Sequence, residues 1–195
     1  MIFNNKIDLS ELIGHSTLLY GETNTKKTYY TAKFINFLLD SKKIPQNEIS
    51  ILDFAPLQIN IKNMNIGGKI KDFYEKSLTC RNIPFKGEII PPRLNANNRN
   101  EVYENACKNY KKSSKILKQY NESPTSILIV NDISIYLHIG NIKLLLESIK
   151  KSNTFFGNSY YGSSINSSFT KLFSLREKRL VQYLIKKVEY SYYTE

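Results

Sequence analysis

The chain is poor in cysteine and histidine, with two of each, and has no tryptophan among its 195 residues. Cys80 and Cys107 have no second cysteine or histidine at ligand spacing, so neither a zinc site nor a disulfide framework is expected, and a reduced, cytoplasmic setting fits. Long hydrophobic runs are missing as well: no stretch approaches the roughly 18 apolar residues that cross a bilayer. The opening residues MIFNNKIDLSELIGHSTLLYG lack the basic region and apolar run of a secretory leader. Acidic residues are in short supply, 17 against 28 lysines and arginines, giving a formal charge of +11 and a pI near 9.5. That balance favours an anionic partner such as a nucleotide, a nucleic acid or an acidic surface. The excess is dispersed: residues 1–98 carry 13 basic and 9 acidic side chains (+4), and residues 99–195 carry 15 and 8 (+7).

What the chain does have is ordinary globular composition, 41% hydrophobic and 23% charged, which excludes wholesale disorder and a fibrous repeat. The length fits one domain, 1–195. Apolar runs of strand length alternate with longer segments of helical period, the pattern of an α/β protein with a mainly parallel sheet. The spacing predicts strands at Ser16–Tyr20, Ile49–Asp53, Gly87–Ile90, Ser126–Asn131 and Thr154–Asn158, with SILIVN as a fully buried central strand. Helices are predicted over Lys27–Ser41, Arg99–Tyr120, Gly140–Lys151 and Phe173–Lys187, and the tail VEYSYY suits an edge strand. INIKNMNIGGK and IPPRLNANNRN read as long connections.

The stretch STLLYGETNTKKTYYTAKFINFLL carries the most chemistry. A short apolar strand leads into a polar loop, Gly21, Glu22, Thr23, Asn24, Thr25 and Lys26, and then Lys27 and Thr28 open a helix. This resembles the P-loop, or Walker A motif, G-x-x-x-x-G-K-[ST], with Lys26 where the second glycine normally stands. In that motif, loop N–H groups and the helix N-terminus cradle phosphate, the lysine reaches the terminal phosphates and the hydroxyl meets Mg²⁺. The bland alternative is that Gly21 only ends a strand and Thr25 caps an ordinary helix. Asp132, directly after SILIVN, stands where the Walker B carboxylate that holds magnesium is found; otherwise it caps the next turn. Asn158, ending NTFFGN, resembles a sensor residue that touches the γ-phosphate or the attacking water, or is a plain turn asparagine.

By order of elements, roughly residues 14 to 160 resemble small RecA-like P-loop ATPases. The resemblance implies a three-layer α/β fold, ATP and Mg²⁺ as cofactors, Gly21–Thr28 as the nucleotide loop, Thr28 and Asp132 as metal ligands, and an insertion within 67–121. It also marks what is missing. The strand after the P-loop helix reads SILDFAPLQ, with Asp53 but Ala55 where RecA-like enzymes carry a catalytic glutamate, and Ile133 follows Asp132 where other classes place one. Asp53 is left to orient water or to form a turn, so hydrolysis is expected to be slow, partner-dependent or absent. A vestigial P-loop on a binding module, and a small-molecule kinase, are the alternatives.

Lys108, Lys111, Lys112, Lys115 and Lys118 gather on one helical face, which offers a surface for a nucleic acid or protein partner or simply a solvated face. Arg176, Lys178 and Arg179 read as a charged helix face, with an arginine supplied to a neighbouring subunit of a homo-oligomer as the other option. His15 and His138 stand without an orienting partner in the sequence and are read as structural. No membrane partner is expected.

Overall fold

A computed structural model describes residues 8–61, 64–84, 87–94, 96–165 and 170–195; parts of both long connections fall outside them. Six strands form one all-parallel sheet in the order β5-β2-β6-β7-β1-β8: β1 (Ser16–Gly21), β2 (Ile49–Asp53), β5 (Arg81–Asn82), β6 (Ile127–Asn131), β7 (Thr154–Tyr160) and β8 (Tyr190–Thr194). A separate antiparallel pair, β3 (Ile59–Ile61) and β4 (Met64–Ile66), branches off after β2. The helices among the described residues are α1 (Lys27–Asn36), α2 (Arg99–Glu122), α3 (Ile133–Leu137), α4 (Ile142–Lys150) and α5 (Lys171–Ile185).

The sheet separates two apolar cores, as alternating side chains of a strand covered on both faces require. Leu19, Ile51, Ile129 and Phe156 turn towards α1, where Phe34 stacks on Phe156 with ring centroids 4.5 Å apart. Leu18, Leu52, Leu128 and Phe155 turn the other way, against α2, α4 and α5. The result is an α/β architecture in three layers. On α2 the buried set Val102, Ala106, Asn109, Ser113, Ile116, Leu117 and Tyr120 follows the helical period, while Lys108, Lys111, Lys115 and Lys118 stay exposed.

One expected strand is absent. Gly87–Ile90 is not a strand; the ladder beside β2 is supplied by the shorter β5. At its end the backbone of Ile90 is satisfied instead by the buried carboxamide of Asn109, which donates to Ile90 O at 2.7 Å and accepts from Ile90 N at 3.4 Å. The helix expected over Lys27–Ser41 is α-helical only to Asn36 and closes in a π-helical turn, Phe37–Ser41. The tail does form an edge strand. Glu189 fastens it to the start of β1, accepting from Ser16 N at 2.7 Å and pairing with His15 Nδ1 at 3.0 Å, which gives His15 a structural role. The stretch 67–121 holds short 3₁₀ turns, β5 and most of α2, the helix that carries the chain from β5 to β6.

Candidate functional site

In a parallel sheet the strand carboxyl ends open into a crevice where ligands bind. Here those ends carry Gly21 on β1, Asp53 on β2, Asn131 on β6 and Asn158 on β7, and a cavity of about 250 Å³ opens above them. Thr23–Thr28, Asp132, Ser134, His138, Asn158 and Arg93 are among the residues on its wall. Tyr29 and Phe73, 45% and 47% exposed, stand at its rim with ring centroids 6.2 Å apart.

The loop after β1 is held by its own side chains. Lys27 Nζ donates to the carbonyls of Gly21 (3.0 Å) and Glu22 and to Thr25 Oγ1 (3.1 Å). Burial lowers the Lys27 pKa to about 8, against the opposing pull of Asp132 and Glu22. The Glu22 carboxylate is anchored by Ser163 and by Ser164, whose N–H donates at 3.1 Å; these bonds outweigh desolvation and keep it below its ordinary pKa. Lys26 precedes α1 in the left-handed region (φ 59°), and Asn24 is left-handed too (φ 60°). No side chain caps α1, and its first N–H groups find no acceptor among the described residues before Tyr30 N bonds Lys26 O at 2.9 Å.

Behind the loop runs a polar network. Thr28 Oγ1 donates to Asn131 Oδ1 (3.2 Å), Asn158 Nδ2 donates to the same oxygen (2.7 Å) and to Thr31 Oγ1 (2.8 Å), and Asn158 Oδ1 accepts from Asp132 N (3.0 Å). Thr28 therefore meets Asn131, while Asp132, left-handed at φ 54°, accepts from Ser134. Desolvation pushes the Asp132 pKa up, and Glu177 adds to the rise. Of the two roles open to Asp53, the structure shows the turn, with Ala55 N donating to its carboxylate. It is not on the cavity wall; its oxygens accept from Ile70 N (2.8 Å), Asn131 Nδ2 (2.8 Å) and Ala55 N (3.2 Å), with Lys69 Nζ 3.8 Å away. Burial raises its pKa.

One group, with Arg93 and His138 on the wall and Glu177 behind them, had no sequence signal. Arg93, Glu177 and His138 converge from a proline-rich loop, α5 and the end of α3, with side chains only 2–6% exposed. Arg93 NH2 lies 3.0 Å from Glu177 Oε2, and His138 Nε2 lies 2.7 Å from the same oxygen. The latter contact is off the line that an aligned ring hydrogen bond needs, and His138 Nδ1 has no partner among the described residues. Separations of 39 and 84 residues hide this cluster from any local pattern. Arg176, read as a surface charge, donates to the carbonyls of His138, Ile139 and Gly140 at 2.9–3.1 Å and so closes the end of α3.

The arrangement offers a lysine and free helix N–H groups to an anion, and hydroxyl, amide and carboxylate oxygens to a hard cation. Among the described residues no cluster of three or more His, Cys, Asp or Glu stands ready to hold a metal by itself, and no helix is long and apolar enough to cross a membrane. Compared with known proteins, the chain matches no family model and no curated sequence.

Proposed function

We propose that the chain is a RecA-like P-loop protein that binds ATP with Mg²⁺ through Gly21–Thr28 and Asp132 and turns it over slowly or with a partner. The observation that carries this reading is the placement of Lys27, half-buried at the start of α1 behind a left-handed Lys26, on the same cavity wall as Thr28 and Asp132. The sheet order supports it: β7 lies between β1 and β6, so Asn158 stands between the loop strand and the Asp132 strand. At about 250 Å³ the cavity suits a triphosphate arm better than a whole nucleotide, since drug-sized ligands fill ~300 Å³ or more. The nucleoside then rests at the mouth, where Tyr29 and Phe73 expose ring faces.

The donor set fits Mg²⁺, which prefers a few protein oxygens and shares the rest of its shell with water and phosphate. Thr28 and Asp132 would hold it, and bound there it would offset charge on the phosphates. Lys27 leaves its carbonyl partners for the phosphates, and the loop and α1 N–H groups orient them. Asn158 fixes Asp132 through its backbone N–H. The test is binding of labelled ATP to the wild type and to Lys27→Ala: the account expects binding to be lost in the variant, and unchanged affinity would sink the site assignment.

A further inference from the structure

We infer that the lysine row of α2 is a docking surface for the phosphate backbone of a DNA duplex, bound without reading its sequence. Lys108, Lys111, Lys115 and Lys118 are exposed and recur at intervals of three and four residues. At 3.6 residues per turn they fall within an arc of about 80°, opposite the buried face of the helix, and the row runs about 15 Å along its axis. None of the four amines has an ion pair or hydrogen bond among the described residues. Other lysines are held: Lys76 by Asp40, Lys151 by Glu147, and Lys112, beside the row, by the Glu88 carbonyl. The segment between Glu104 and Glu122 contains no acidic residue at all. Like charges three and four residues apart weaken a helix, so the row works against the fold until an anion lies along it.

The spacing of charge selects the partner. One strand of B-form DNA carries a phosphate per ~3.4 Å of axis, so a row of about 15 Å spans about four phosphates, one for each amine. Single strands are held largely by stacking of their bases, and the exposed ring of α2, Tyr103, lies about 100° around the helix from the middle of the row. The apolar face of α2 packs into the core and is not free to enter a bilayer. Among the described residues no large apolar side chain is exposed between Lys108 and Lys118 to anchor a protein partner. None of the four lysines is on the wall of the cavity, so the inference is independent of the nucleotide reading.

The experiment is fluorescence anisotropy of a labelled DNA duplex of about 20 base pairs, titrated with the full chain between about 50 and 200 mM NaCl. The wild type is expected to bind with log K falling against log salt at a slope of about −3.6, a loss of about 100-fold over that range. The variant Lys108→Gln, Lys111→Gln, Lys115→Gln, Lys118→Gln should lose about 30-fold or more at the lower salt, with a slope near zero. A control, Lys33→Gln, Lys42→Gln, Lys43→Gln, Lys71→Gln, removes the same charge from exposed positions off α2 and should stay within about threefold of the wild type. Glutamine suits exposed helix positions about as well as lysine, so thermal unfolding should show the α2 variant folded. Lys111→Gln, Lys115→Gln alone should halve the slope, which keeps the test open if the fourfold variant unfolds. A wild type that does not bind the duplex at about 50 mM salt overturns the inference, as does a folded α2 variant that binds as the control does. Tighter binding of a single strand, an RNA duplex, phosphatidylserine vesicles or polyglutamate than of the DNA duplex overturns the choice of partner.

Discussion

Gly21 ends β1 directly opposite Thr194 of β8, so closely that a methyl group on Gly21 would overlap the Thr194 carbonyl oxygen and stand 2.6 Å from its hydroxyl. The first residue of the loop motif is thus constrained by the tail strand before any ligand is considered. The same threonine hydroxyl lies 2.6 Å from Thr25 Oγ1, which also receives Lys27. The edge strand and the loop are one packed unit.

Replacing Gly21 with alanine should therefore destabilise the fold by about 1 to 3 kcal/mol, the usual range for a forced extra carbon in a packed site. Urea unfolding measures this. A variant as stable as the wild type would show that β8 does not sit against the loop.

Lys26→Gly should act in the opposite direction. An L-residue in the left-handed region costs about 1 to 2 kcal/mol, and glycine's extra unfolded-state freedom returns part of that. A net gain of about 0.5 kcal/mol in thermal unfolding is expected, with no loss of ATP affinity, since the Lys26 side chain is exposed. A destabilised variant would mean that Lys26 makes a contact that offsets its strain.

Asn131→Asp tests the network behind the loop. Asn131 Nδ2 donates to Asp53 Oδ1 at 2.8 Å, so a carboxylate at position 131 would face the part-buried carboxylate of Asp53 with no donor between them. Like charges at that distance cannot both ionise. The substitution should destabilise the protein by about 2 to 4 kcal/mol at neutral pH, where the folded state must hold a proton that the unfolded chain does not, and by less towards pH 4, where the unfolded carboxyls bind protons as well. Equal stability across that range would contradict the geometry.

Much of this site is legible in the sequence because it is local. The strand, loop and helix around Gly21–Thr28 are contiguous, and SILIVN reads as a buried strand that delivers a polar residue at its end. Asp132 directly follows that strand, as expected, and the residue that meets Thr28 is its neighbour Asn131, the last of β6, while Asp132 turns left-handed. What stayed hidden depends on distant partners. Nothing near Gly87–Ile90 announces that Asn109 will satisfy its backbone, and nothing near His138 announces Glu177 or Arg93.

Lys27 makes stability depend on pH in a predictable direction. Its folded pKa, about 8, is below the unfolded value of 10.5, so between those values the unfolded chain binds more protons and stability rises with pH. Other groups titrate there too, so the quantity to measure is the difference between wild type and Lys27→Met in chemical unfolding from pH 7.5 to 10.5. Wild type should gain on the variant by up to about 3 kcal/mol across that window. A constant difference would show that Lys27 is not desolvated.

The central claim is that Lys27 and its loop hold the phosphates of ATP. Equilibrium binding of ATP, with and without Mg²⁺, to wild type and Lys27→Ala tests it most directly. The account predicts binding by the wild type that is tighter with Mg²⁺, and a loss of about 100-fold or more in Lys27→Ala, as expected when a charge-assisted contact to phosphate is removed from an enclosed site. A wild type that does not bind, or a variant that binds equally well, would contradict it.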